Sequence, residues 1–107
     1  MKTIVTKPSP DQNVNFRLFQ INDAGGFLKL DTRNGVITQI EYMYDGRIRE
    51  YELNPTPLVD KEDEKPGRFF LYPTEWISGL LYLLDQISGN CYQVQIDKKD
   101  RGVWRIY

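Results

Sequence analysis

Apolar residues return at alternate positions through most of this chain. Over residues 14–21, Val14, Phe16, Leu18 and Gln20 share one side while Asn15, Arg17 and Phe19 share the other. A period of two belongs to a β-strand, whose successive side chains point to opposite faces. The same pattern predicts strands over 27–30, 36–44 and 47–53, and again over 68–72, 90–96 and 103–107. The segments between them carry turn chemistry. In Asp31-Thr32-Arg33-Asn34-Gly35 a carboxylate can accept backbone N–H groups ahead of Asn-Gly, which takes positive φ readily. Asp45-Gly46 is a strong hairpin dipeptide. Residues 22–26 and 97–102 also read as turns.

The pattern is written twice. Leu30/Leu84, Asp31/Asp85, Gly35/Gly89 and Gln39/Gln93 coincide at one constant offset, and Ile40/Val94 is a conservative match. Upstream, Phe16-Arg17-Leu18-Phe19 answers Phe69-Phe70-Leu71-Tyr72, one residue out of register.

Two patterns compete over residues 74–88. Trp76, Leu80, Leu83, Leu84 and Ile87 fall at helical spacing, with Thr74 placed to cap and Gly89 to terminate. Gly79 inside the segment opposes a helix. So does the first copy, because Gly25-Gly26 and the Asp31 to Gly35 turn cannot belong to one helix. A repeat keeps its fold, so the strand-loop-strand reading is preferred.

The expected fold is all-β. One domain, residues 1–107, holds two tandem four-stranded antiparallel repeats, 14–53 and 68–107. A charged connector, 54–67, joins them, and its charged stretch from Asp60 to Gly67 reads as a solvated loop. Two closures are open: blade-like stacking, or one eight-stranded barrel or sandwich with pseudo-twofold symmetry.

Composition narrows the function classes. The chain has 107 residues, is 40% hydrophobic and carries a formal net charge of -1. That suits a compact core and offers no global field for nucleic acid. A chain this short buries a modest fraction of its surface, which favours a homo-oligomer. No apolar run approaches a membrane span. The first residues resemble a signal peptide, but Lys7, Pro8 and Pro10 interrupt it. The chain reads as cytoplasmic as it stands, or exported if a leader has been removed.

Histidine is absent, which removes the commonest general base and metal ligand. Cys91 is the single cysteine and forms no intrachain disulfide. Asp31 and Asp85 read as turn formers. Asp60, Glu62, Asp63 and Glu64 lack the spacing of a calcium loop. No serine has a nucleophile elbow, and Gly25-Gly26 opens no phosphate loop. The expectation is therefore no catalytic residue, no metal and no cofactor.

Aromatic residues offer another chemistry. Tyr72, Trp76, Tyr82, Tyr92, Trp104 and Tyr107 crowd the second repeat. Such rings suit core packing, sugar stacking or protein interfaces. In the strand reading, Trp76 sits in a loop corresponding to Asn22 and Asp23 of the other copy. Trp76, Glu75, Asn22, Asp23 and Tyr72 then form a candidate loop-lined ligand cleft. Arg17 and Arg68 flank the first strand of each repeat, where strand pairing competes with ligand contact.

The segments 67–74, 83–89 and 92–95 resemble a pattern of short two-repeat proteins from gut Bacteroides-type bacteria. Tyr92 and Ile96 stand where that pattern has tryptophan. The resemblance implies an all-β fold and brings no catalytic residue. The paired four-stranded repeats also resemble two blades of a β-propeller. Some small lectins of that kind close a ring by trimerising and hold sugar between blades. The resulting expectation is a non-catalytic binding module, with carbohydrate as ligand. The alternative is a protein-interaction or inhibitor protein that uses an exposed sheet edge. An enzyme comes last.

Overall fold

The structure is a computed structural model and describes residues 14–21, 26–74, 79–96 and 100–107. The described residues form eight strands in two four-stranded sheets. The first sheet is a meander of β1 (Phe16–Ile21), β2 (Gly26–Asp31), β3 (Ile37–Tyr42) and β4 (Ile48–Glu52). The second is a meander of β5 (Phe69–Pro73), β6 (Leu80–Asp85), β7 (Cys91–Gln95) and β8 (Gly102–Arg105). All pairings are antiparallel. The two-repeat all-β reading holds. The ambiguous segment contributes strand β6 rather than a helix, and residues 75–78 lie outside the described part.

The hairpin turns repeat closely. Gly35 N–H donates to Asp31 O at 2.9 Å, and Gly89 N–H donates to Asp85 O at 2.8 Å. Leu30 pairs with Ile37 across the first hairpin, as Leu84 pairs with Cys91 across the second. Arg17 opposite Leu30 therefore corresponds to Phe70 opposite Leu84, and Tyr51 opposite Gln39 to Trp104 opposite Gln93.

Packing does not follow that correspondence. Phe19, Leu28, Leu30 and Ile37 of the first sheet form one core with Phe69, Leu71, Leu81, Leu83 and Val94 of the second. Leu28 and Leu30 are buried, whereas their counterparts Tyr82 and Leu84 point to the opposite face. Exposed Lys29 corresponds to fully buried Leu83. In a pseudo-twofold sandwich, matching positions of both copies would enter the core. Here the front of one sheet meets the back of the other, so the repeats stack head to tail. This decides between the two closures.

Residues outside the strands lock the stack. Phe69 N–H donates to Thr32 O at 2.8 Å, and Gly67 N–H donates to Thr32 Oγ1 at 2.9 Å. Arg101, just before β8, donates to Gln39 Oε1 at 3.1 Å and to Glu41 Oε1 at 3.2 Å. Its guanidinium lies 3.8 Å from the Tyr51 ring centroid. This cross-sheet clamp explains why Gln39 can be buried, since a buried amide needs hydrogen-bond partners. The charged stretch 60–67 holds no buried residue, in keeping with a solvated loop, whereas the start of the connector packs inward. Asp60 and the short 3-10 turn Lys61–Asp63 are exposed, but Leu58 and Val59 pack against the core. Buried Asn54 accepts from Ile37 N–H and donates to Gly35 O, each at 2.9 Å.

Candidate functional site: the outer face of the second sheet

Strand β6 reads Leu-Leu-Tyr-Leu-Leu before Asp85. A strand apolar on both sides calls for cover on both sides. The first sheet covers the side of Leu81 and Leu83. The other side carries Leu80, Tyr82 and Leu84, and its neighbours extend it. Across the four strands, Tyr72 lies opposite Tyr82, Tyr82 opposite Gln93, and Gln93 opposite Trp104. At the usual strand spacing this row is roughly 15 Å long. Beside it, Phe70, Leu84 and Cys91 form a second row. The Phe70 and Tyr72 rings are 4.9 Å apart, centroid to centroid.

This face is largely apolar and open. Tyr72 is 43% exposed, Tyr82 39% and Trp104 46%. Its paired positions include no charged side chain, and its amides, Gln93 and Gln95, hydrogen bond to each other at 3.1 Å. Trp104 lies over Gly102, where a Cβ would meet its ring at 3.0 Å. The absence of a side chain at Gly102 leaves room for the indole there.

Of the residues expected in a ligand cleft, Tyr72 belongs to this face. Trp76, Glu75, Asn22 and Asp23 lie outside the described residues. Tyr92 is buried and packs against Phe69, with ring centroids 6.5 Å apart. Tyr107 is exposed at the C-terminal end. Tyr82 and Trp104 were legible as part of an aromatic crowd, but their shared face was not. The available signal was the unbroken apolar run of β6, which alternation alone leaves unassigned.

The remaining polar groups serve the fold. Arg68 forms a paired contact with Asp85, Nε to Oδ1 and Nη2 to Oδ2, both at 2.9 Å. Asp85 also accepts Ile87 N–H at 3.0 Å and Ser88 N–H at 3.1 Å, closing the turn. Burial of Asp85 acts to raise its pKa, but hydrogen bonds from Arg68, Ser88 and Ile87 outweigh it and hold the carboxyl below its ordinary value. A shallow, open depression beside this pair is lined by Lys65, Gly67, Arg68, Gln86 and Ile87. Arg68 is committed to Asp85, and Gln86 donates to Gly67 O at 2.8 Å, so these two side chains serve the fold. Among the described residues, no three His, Cys, Asp or Glu side chains gather as a metal site, and no helix is long and apolar enough to cross a membrane.

Comparison with protein-family models, with curated proteins and with solved structures finds no match to this chain.

Proposed function

We propose that this chain is a non-catalytic binding module whose working surface is the outer face of the second sheet, and that its partner is a protein surface. The observation that carries this reading is the Tyr72–Tyr82–Gln93–Trp104 row, open and uncharged on a sheet already satisfied on its other side. Aromatic enrichment with charge depletion is the composition of a protein-interface centre. Contiguous apolar surface of this kind marks interaction sites. Sugar sites need convergent polar groups beside the rings to hold the hydroxyls. Here the polar groups beside the rings are the two amides of Gln93 and Gln95, joined by one hydrogen bond, with no charged side chain among the paired positions.

The test is photo-crosslinking in the producing cell, with benzoylphenylalanine placed at Tyr82 or at Tyr44, which is fully exposed and lies in the β3–β4 turn. The reading expects discrete protein adducts from position 82 and none from position 44. Equal labelling at both positions, or none at 82, would overturn it. Saturable binding to a soluble polysaccharide, abolished by Trp104→Ala, would transfer the face to a carbohydrate ligand.

A further inference from the structure

We infer that the partner of this face is a second copy of the same chain, docked head to tail through the outer face of its first sheet; this rests on the reading of the second sheet's outer face as the binding surface. The template is the interface inside each chain. There, the core-facing side of the first sheet meets the core-facing side of the second. Because the repeats stack front to back, both sides of that interface recur on the outside.

The second sheet's outer face repeats the first sheet's inner face. Pairing makes Tyr72 the counterpart of Phe19, Leu84 of Leu30, and Gln93 of Gln39. The correspondence extends to the residues that receive Arg101, though Ile48 stands where the arginine itself would recur. Gln39, Glu41 and Tyr51, which hold that guanidinium, recur outside as Gln93, Gln95 and Trp104. The Gln39–Glu41 contact at 3.5 Å has its counterpart in Gln93–Gln95 at 3.1 Å.

The first sheet's outer face repeats the second sheet's inner face at its apolar positions, while Lys29 and Thr38 stand where Leu83 and Tyr92 stand inside. Phe16 corresponds to Phe69, Leu18 to Leu71, and Ile40 to Val94. Phe16 is 51% exposed and Leu18 55%. Charge stands within this face as well as at its edge: Lys29 lies between Leu18 and Thr38, and the Asp31–Arg33 pair lies against Phe16. Glu50 and Glu52 stand on edge strand β4, and the Lys29 ammonium lies 5.4 Å from the Phe16 ring centroid. With Lys29 where Leu83 stands inside, the contact between copies is weaker than the one within a copy, and reversible.

Front-to-back contact is heterologous. It uses two different patches and leaves one of each free at the ends until rotation closes a ring. That property gives a selective test on the full chain. Tyr82→Lys, with Trp104→Lys as a second variant, blocks the second sheet's outer face. Leu18→Lys, with Phe16→Lys as a second variant, blocks the first sheet's. Circular dichroism and the unfolding midpoint identify the variants that keep the fold.

Light scattering coupled to size exclusion, run across concentration, should show assembly of the wild type beyond the monomer. Each single variant should be monomeric. A mixture of one variant from each face should form a one-to-one dimer and grow no further, because each partner keeps the patch that the other has lost. A Leu18→Lys chain that still self-associates would mean a symmetric contact and overturn the inference. So would blocked variants that fail to complement, or a wild type monomeric at every concentration. In that last case, adducts captured at position 82 would still uphold the binding face, with a different protein upon it. No assembly and no adduct would remove both readings.

Discussion

The two Asp-to-Gly turns share a backbone and differ in their surroundings. Asp31 pairs with Arg33 two residues on, and both side chains keep solvent contact. Asp85 is buried and reaches out of its own turn to Arg68 on the neighbouring segment. The difference follows from which face turns inward. The carboxylate projects to one side of its hairpin in both copies. That side is outside in the first sheet and inside in the second. Once enclosed, the same aspartate requires a cation and a full set of donors, since an unpaired buried charge is costly. Stacking direction, rather than turn sequence, sets the electrostatic demand on each copy.

The sharpest break in this comparison comes from neighbours on one strand. Leu83→Lys places an uncompensated charge in the shared core and should unfold a chain of ordinary marginal stability. Tyr82→Lys, one residue away on the open face, should shift stability by about 1 kcal/mol or less, as surface changes do. Urea titration followed by circular dichroism separates the two. Equal effects would mean that the faces are not inequivalent.

Next come the partners of the two aspartates. Arg68→Ala leaves Asp85 buried without its cation and should cost about 3 kcal/mol, the scale for breaking a buried pair. Arg33→Ala should have a much smaller effect, because Asp31 remains open to water. The same denaturation experiment reads both.

The turn glycines sharpen the comparison further. Gly35 and Gly89 have nearly equal positive φ, 82° and 83°. A Cβ on Gly35 would meet Leu58 at 2.7 Å and Phe69 at 3.1 Å, while one on Gly89 meets nothing within 4 Å. Gly89→Ala should cost about 1 kcal/mol for the left-handed conformation. Gly35→Ala should cost clearly more, and the difference reports the crowding that stacking brings to the first turn.

The smallest expected effect is on pH dependence. Asp85 has a lowered pKa in the folded chain, against about 3.9 for a free aspartate. Its stabilisation is therefore complete above that unfolded value and is lost as pH falls through the folded one. Asp85→Asn should weaken the dependence of unfolding free energy on pH in the acid range, measured by urea melts at stepped pH.

Much of the fold was legible in the sequence. Alternation located the strands, and the Asp31 and Asp85 turns revealed the repeat. The strand at Leu80–Asp85 required that repeat, because its apolar spacing alone also fits a helix. The stacking direction was not legible. Leu80, Leu81, Tyr82, Leu83 and Leu84 are apolar on both sides, so alternation there does not choose an inward face. Gln39 misleads as well: an amide reads as solvent-facing, and only Arg101, far along the chain, makes its burial acceptable. The candidate site was legible as a crowd of aromatic residues. Tyr72, Tyr82 and Trp104 became a surface only when the pairing aligned them in one row and the core took the opposite side.

The most direct test of this account is a set of methyl NOEs on the isotopically labelled chain. Head-to-tail stacking predicts inter-sheet NOEs from Leu28, Leu30 and Ile37 to the methyls of Leu81, Leu83 and Val94, and none to Leu84 within one chain. NOEs joining Leu30 to Leu84 in a monomeric sample would show like faces packed together. They would contradict both the stacking and the partner inferred from it.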